Sequence, residues 1–249
     1  MSKFESFAAL HVPGKPVILF NVWDAGSAKV AERAGARAVA TGSASVATAH
    51  GVSDAEGLPI ELALANAARI VAAVDLPVTI DFEGGYAFDE EPLVANLAAL
   101  AATGAIGCNF EDQVIGGEGM HAIHVQAKRV AAARRGAGAA FFLNARTDIF
   151  LQAKPDTHNK AKADAAIERA HAYAEAGASG FFVPGLADLK LLERVCAASP
   201  LPVNFMAFPG APSAKAVAGA GVARISHGPF PHMLALKAFE DAARAAFAD

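Results

Sequence analysis

The sequence predicts an α/β fold, a closed (β/α)8 (TIM) barrel, as one domain spanning residues 1–249. Short β-rich runs alternate with longer Ala-rich helical stretches along the whole chain, the pattern of a parallel sheet. Eight strand–helix pairs in roughly 250 residues suit a closed barrel better than an open doubly wound sheet. No Gly-x-Gly-x-x-Gly follows the first strand, which counts against a dinucleotide-binding fold, and no linker or low-complexity segment marks a boundary.

In order, strands are read at Pro16–Asn21, Ala38–Thr41, Val78–Phe82, Gly107–Glu111, Ala140–Arg146, Gly180–Val183, Val203–Met206 and Ala223–Ser226. Each is short, apolar and rich in β-branched or aromatic residues, as a strand buried on both faces should be. Between them lie helices near Ala25–Ala34, Ile60–Val74, Glu91–Thr103, His121–Arg135, Lys160–Ala176, Ala187–Ala198 and Ser213–Ala220. Glycines such as Gly35, Gly104, Gly136, Gly177 and Gly221 stop many of them, as expected just past a helix C-terminus. A last helix over about Pro231–Phe247 carries Met233, Leu234, Leu236, Phe239, Ala242 and Phe247 as an apolar stripe.

Over half of the residues are apolar (54%), enough for a sizeable core, and the formal net charge of −4 offers no basic face for nucleic acid or an anionic membrane. Cys108 and Cys196 are too few for a disulfide framework, no apolar run reaches membrane-spanning length, and the start lacks signal-peptide character. The expected setting is a reducing cytoplasm. Cys108 should face the helical layer and Cys196 the core, while His121, His124 and His158 read as solvent-facing.

Acids gather where two successive strands end. Asp81 and Glu83 close Leu76-Pro-Val-Thr-Ile-Asp-Phe-Glu, and Glu111 closes Gly107-Cys-Asn-Phe-Glu. With alternate side chains sharing a face, Asp81 would point with Glu83, and Glu111 with Asn109. Unpaired acids pack poorly at the end of an apolar strand. Asp81, Glu83 and Glu111 therefore form a candidate oxygen-donor site for a hard divalent cation, against the plainer reading of surface loop acids. Asp112 alternates away and reads as a salt-bridge partner. Arg146 ends the fifth strand on the same face as Asn144, placed to clamp a substrate carboxylate or to neutralise Asp81 or Glu111. Thr41-Gly42-Ser43-Ala44-Ser45 reads as a small-residue loop whose amides and hydroxyls could hold an anion. The glycine-dense stretch Gly116-Gly117-Glu118-Gly119-Met120 is a candidate lid, and His227, after the eighth strand, a candidate for proton transfer. Active sites of such barrels lie at the C-terminal strand ends, where these residues fall.

These motifs resemble the isocitrate lyase/phosphoenolpyruvate mutase superfamily nearly end to end. The resemblance runs through Asn21-Val-Trp-Asp-Ala-Gly-Ser-Ala, Ala40-Thr-Gly-Ser-Ala-Ser, Gly51-Val-Ser-Asp, Asp81-Phe-Glu-Gly-Gly-Tyr, Asn109-Phe-Glu-Asp, Asn144-Ala-Arg-Thr-Asp, Phe182-Val-Pro-Gly and Phe208-Pro-Gly-Ala-Pro-Ser. It implies magnesium or manganese, a small oxo-carboxylate substrate, and homo-oligomers (dimers or tetramers) that exchange the C-terminal helix. By position, Asp81, Glu83 and Glu111 match metal-site acids and Asp54 an acid supporting them. Gly42, Ser43 and Ala44 match the loop holding the substrate's carboxylate and oxo group, and Arg146 the substrate-binding Arg. The Lys-x-Cys-Gly-His segment of isocitrate and methylisocitrate lyases is absent, and Pro184 stands where the mutase has His. The expected activity is magnesium-dependent cleavage of a C–C bond in a small oxo- or hydroxy-dicarboxylate through an enolate. P–C chemistry on phosphonopyruvate and a non-catalytic oxo-acid-binding barrel are the alternatives.

Overall fold

The computed structural model describes residues 1–248. The expected alternation forms β1 (Val17–Leu19), β2 (Val39–Ala40), β3 (Val78–Asp81), β4 (Gly107–Glu111), β5 (Phe142–Arg146), β6 (Gly180–Phe182), β7 (Val203–Met206) and β8 (Arg224–Ser226). Every pairing in the order β1-β8-β7-β6-β5-β4-β3-β2 is parallel. A parallel bridge between Val22 and Thr41, with Val22 N–H donating to the Ala40 carbonyl at 2.8 Å, joins the first strand's end to the second's and closes the barrel.

The helices are α1 (Lys3–Ala8), α2 (Ala25–Arg33), α3 (Ser43–Ala49), α4 (Ile60–Ala73), α5 (Glu90–Ala102), α6 (Ile123–Ala137), α7 (Lys160–Glu175), α8 (Leu189–Ala198), α9 (Ala214–Gly219) and α10 (Phe230–Phe247). Two of them are not among the expected elements. α1 starts with a reciprocal cap between Ser2 and Glu5, and buries Phe7 edge-on against Phe142 at the base of the barrel. α3 begins inside the segment read as a loop, because Ser and Ala support a helix once Gly42 supplies an extended N-cap.

Outward-facing strand residues such as Ile80, Cys108, Phe110, Leu143, Phe181 and Phe205 pack under the helical layer, which supplies Leu93, Leu97 and Leu100 among others. Full burial of each such side chain contributes about 1.5–3 kcal/mol. Cys108 is wholly buried there, as expected, whereas Cys196 is only partly buried. The interior face is unusually polar for a barrel core, with Thr79, Asn109, Asn144, Asn204, Arg224 and Ser226 all buried. Among the described residues no helix is long and apolar enough to cross a membrane.

α10 departs from the packed pattern of the other helices. Only Pro231 and His232 are buried, and His232 meets Trp23 with ring centroids 4.7 Å apart. Beyond them the apolar stripe is bare, with Leu234 65% and Phe239 74% exposed.

Candidate active site

Parallel strands deliver their C-terminal residues to one rim, and a cavity of about 280 Å³ opens there. Its polar lining comes from Asn21, Ser43, Asp54, Asp81, Asn109, Arg146 and Ser226. Gly42 and Ala44 also line it. A Cβ at Gly42 would sit 3.2 Å from the Gly228 carbonyl oxygen, so a glycine lets the β8 loop close against the start of α3.

Asp81 is held from three sides. Its Oδ2 accepts from the Ser43 amide (3.1 Å) and hydroxyl (3.2 Å), and Oδ1 accepts from Asn109 Nδ2 (3.2 Å). Asn109 is fixed in turn, its Oδ1 accepting from Asn144 Nδ2 at 2.8 Å and from Arg224 Nη2 at 3.3 Å. Burial pulls the Arg224 guanidinium down to about 9, with the Asp81 charge acting against that fall. A cation thus lies below Asp81 with one amide between them.

Glu83 itself occupies a left-handed backbone conformation (φ 51°), as do Ala55, Glu56 and Tyr86 (φ 63°, 60° and 58°). Such geometry is costly for residues other than glycine and collects at functional sites. Here the two strained segments hold each other. The Glu56 amide donates to Glu83 Oε2 at 2.7 Å, and the Tyr86 amide donates to Glu56 Oε1 at 2.8 Å. Burial, joined by the charges of Asp54, Asp81 and Glu56, pushes the Glu83 carboxyl up to about 8 against the Glu56 hydrogen bond. Asp54 is also raised, by burial and then by Asp81, with a Ser43 hydrogen bond opposing.

Arg146 closes the other side. Nη1 lies 2.7 Å from Glu111 Oε2, while Nε and Nη2 grip Asp148 at 2.6 and 2.9 Å. Burial alone would lower the guanidinium, but Glu111 and Asp148 together raise it. Glu111 stays raised by burial in spite of Arg146. Asp148 is itself positioned by its amide, which donates to Asp112 Oδ1 at 3.0 Å; Asp112 Oδ2 accepts from Arg169 and Tyr173, both at 2.9 Å. Asp112 is therefore the ion-pair partner its alternation predicted.

Several expectations need correction. Asp81, Glu83 and Glu111 are spread along the rim, and among the described residues no three His, Cys, Asp or Glu side chains are grouped to hold an ion as they stand. β3 ends at Asp81, the left-handed turn carries Glu83 to the Glu56 amide, and Arg146 draws Glu111 sideways. Glu83 lines a smaller neighbouring cavity with Thr41, Ser43, Asp81 and Tyr86. Thr41 and Asn144 do not reach the main cavity. Thr41 Oγ1 accepts from the Asp81 amide at 2.9 Å, and Asn144 supports Asn109 from below. His227 is absent from the lining as well, its Nδ1 lying 3.1 Å from the Leu19 carbonyl and its ring beside Phe20.

The glycine-dense segment forms the tip of a small hairpin bridged between Gln113 and Met120, and the flanking Val114, Ile115 and His121 line a separate cavity with Glu56, Phe88 and Arg129. His121 and His158 are half-buried rather than solvent-facing, and His158 Nε2 lies 3.0 Å from the Phe150 carbonyl. Asn21 went unread in the sequence as a site residue. Its Oδ1 accepts from the His227 and Gly228 amides at 2.7 and 3.1 Å, and its Nδ2 donates to the Thr41 carbonyl, so one side chain ties three strand ends together.

The donors nevertheless suit a hard cation. Magnesium needs only one or two protein carboxylates and completes its octahedron with water. Asp81 and Asp54 face the cavity, and Glu83 and Glu111 stand close enough behind them for their charges to be felt.

The phosphoenolpyruvate phosphomutase family model matches residues 7–247. A proposed phosphonomutase from Burkholderia cenocepacia J2315 has the same fold, with a TM-score of 0.95 and 46% identity over 98% of both chains. An uncharacterised protein of Mycobacterium tuberculosis H37Rv is 34% identical over 246 residues, covering 96% of this chain and 88% of its own. The 2-methylisocitrate lyase of Escherichia coli K12 is 28% identical over 210 residues, 78% of this chain and 70% of that one. With its barrel, its acid rim and a match over nearly its whole length, the chain belongs to the phosphoenolpyruvate phosphomutase family, within the isocitrate lyase/PEP mutase superfamily.

Proposed function

We propose that this protein is a magnesium-dependent lyase that cleaves a C–C bond in a small oxo- or hydroxy-dicarboxylate, with charge developing as an enolate. The observation that supports it best is the shared cavity in which Asp54 and Asp81 face Arg146, at the C-terminal rim of the barrel. Asp81 would hold the cation directly, with Asp54, Glu83 and Glu111 holding its waters. When bound, magnesium or manganese supplies Lewis-acid polarisation of substrate oxygens.

The remaining work falls to the chain's own side chains. A guanidinium has five N–H donors. Glu111 and Asp148 occupy three of those on Arg146, which leaves one on each Nη for a substrate carboxylate. Glu111 and Asp148 fix that fork before substrate arrives, and such preorganisation is what stabilises developing charge. The Ser43 amide and hydroxyl sit at the start of α3, where donors converge on oxygen. Asp54, raised by burial beside Asp81, is the cavity-lining acid suited to hold and return a proton.

P–C chemistry is the competing reading. It draws on the phosphonomutase description of the 46% identical Burkholderia protein. Against it, Arg146 is the single cationic side chain among the described residues lining the cavity, and a phosphono group brings extra negative charge. The same proposal includes a homo-oligomer in which α10 covers its bare stripe on a second copy.

A panel of oxo- and hydroxy-dicarboxylates with magnesium, run on the wild type and Asp81→Ala, tests the activity. Turnover of at least one acid that vanishes in the variant is expected. Unchanged turnover in the variant would remove the metal-centred mechanism, and phosphorus NMR of phosphonopyruvate would reveal P–C cleavage instead.

A further inference from the structure

The active-site cavity has two chemically different sides. Its polar residues come from the ends of β1, β3, β4, β5 and β8 and from the stretch between β2 and β3, whereas Leu151, Phe182, Pro184, Met206 and Phe230 form an apolar wall at β6, β7 and the segments after β5 and β8. Leu151, Met206 and Phe230 also border a second cavity of about 450 Å³. Phe150, Phe208 and Pro209 are among its other walls, and no Asp, Glu, Lys or Arg of the described residues lines it. Its one titratable lining group, His158, has Nε2 turned to the Phe150 carbonyl.

Leu151 is 45% exposed, and Met206, Phe208 and Phe230 are half-buried, so this apolar wall meets water until something covers it. A charged group lying against this wall would give up hydration on the side that touches it, with no Asp, Glu, Lys or Arg lining the cavity to compensate. An aliphatic group would gain about 0.8 kcal/mol for each methylene removed from water.

We propose that the substrate carries an uncharged aliphatic chain besides its acid groups, running from the cavity past Leu151, Met206 and Phe230 toward Phe208. The wall selects for that chain and against a substrate that places another carboxylate or phosphonate there. This rests on the oxo-acid reading of the polar side. It adds a specificity that neither the acids nor Arg146 can supply, because they act on the head group alone.

Calorimetry with three 2-oxo acids in magnesium buffer tests it. Pyruvate reports the head site by itself. 2-Oxohexanoate and 2-oxoadipate have the same carbon count and differ in ending with a methyl or a carboxylate. 2-Oxohexanoate should bind at least about tenfold tighter than pyruvate, since its additional methylenes leave water. It should exceed 2-oxoadipate by a similar factor. Phe208→Arg should tighten 2-oxoadipate about fivefold or more and shrink the preference, with pyruvate affinity reporting that the variant is folded.

Pyruvate binding with no gain for 2-oxohexanoate, or with 2-oxoadipate equal to it, would overturn the aliphatic subsite and leave the oxo-acid reading standing. Unchanged affinities for both long acids in Phe208→Arg would overturn the placement of the chain. Failure of all three acids to bind would overturn both proposals together.

Discussion

Arg146 and Glu111 are register partners on neighbouring strands, and their side chains meet again above the sheet, with Nη1 to Oε2 at 2.7 Å. Asp148 completes the grip two residues later. A lysine has no planar fork to satisfy both acids at once. Arg146→Lys should therefore lower kcat/KM at least about 100-fold on the best substrate, comparable to losing a preorganised oxyanion donor. Arg146→Met, which strands two buried acids, should also cost about 3–5 kcal/mol of stability in urea titrations. Activity within threefold of wild type in the lysine variant would reduce Arg146 to a structural tie.

Asp54 lines the cavity yet makes no ion pair among the described residues, and its carboxyl is raised. Asp54→Asn keeps the shape and removes the exchangeable proton. We expect kcat to fall by about 10²–10⁴, the usual range for a proton-transfer group. Oxalate affinity in magnesium buffer should change only a few-fold. A pure rise in KM would instead make Asp54 a binding residue.

The acid rim sets a pH dependence for the metal-free protein. Glu83 ordinarily titrates near 4.5 and in the folded chain is pushed to about 8, chiefly by burial. Between those values the folded state binds more protons than the unfolded one, so stability falls as pH rises through the window. Asp54, Glu56 and Glu111 are raised as well and act in the same direction. The urea midpoint without metal should decline from about pH 4.5 to about pH 8, and Glu83→Gln should flatten the slope. A midpoint that climbs with pH in the wild type would contradict the charge balance described for the rim.

α10 leaves Leu234 and Phe239 largely in water while its first turn is anchored through His232 and Trp23. A groove beside it, lined by Val30, Ala31, Ala34, Leu234 and Ala238, continues the apolar face onto α2. Contiguous exposed apolar surface of this kind marks contacts between molecules. Sedimentation of the full chain should give a multiple of its 25.4 kDa mass, and Leu234→Glu with Phe239→Glu should shift it toward monomer. A wild-type monomer at tens of micromolar would remove the exchange of this helix between subunits.

The barrel was legible because each strand is a short apolar run and many helices end at a glycine, so local signals agreed with the global fold. α1 was missed although Ser2 and Glu5 spell a capping box, since only two turns of ordinary sequence follow. α3 was missed because Gly42-Ser43-Ala44-Ser45 has the composition of a phosphate-type loop, and whether such a segment coils or winds depends on the Asp81 carboxylate that caps it from another strand.

The rim acids were found by their place at strand ends. How they divide the work was not. A period of two cannot foresee the left-handed turn at Glu83 or the choice of Glu111 to pair with Arg146. His227 had the right position, but its ring is fixed beside Leu19 and Phe20 instead of the cavity. Arg224 gave no local signal, because its value lies in a contact with Asn109 that is 115 residues away in sequence.

The most direct test of a cation held at this rim is calorimetric titration of magnesium into the chain with oxalate present, for wild type and Asp81→Asn. One ion per chain in the wild type is expected, with affinity at least about 100-fold weaker in the variant, roughly the worth of one direct ligand contact. Equal affinity in the two proteins, or no magnesium uptake by the wild type, would contradict it.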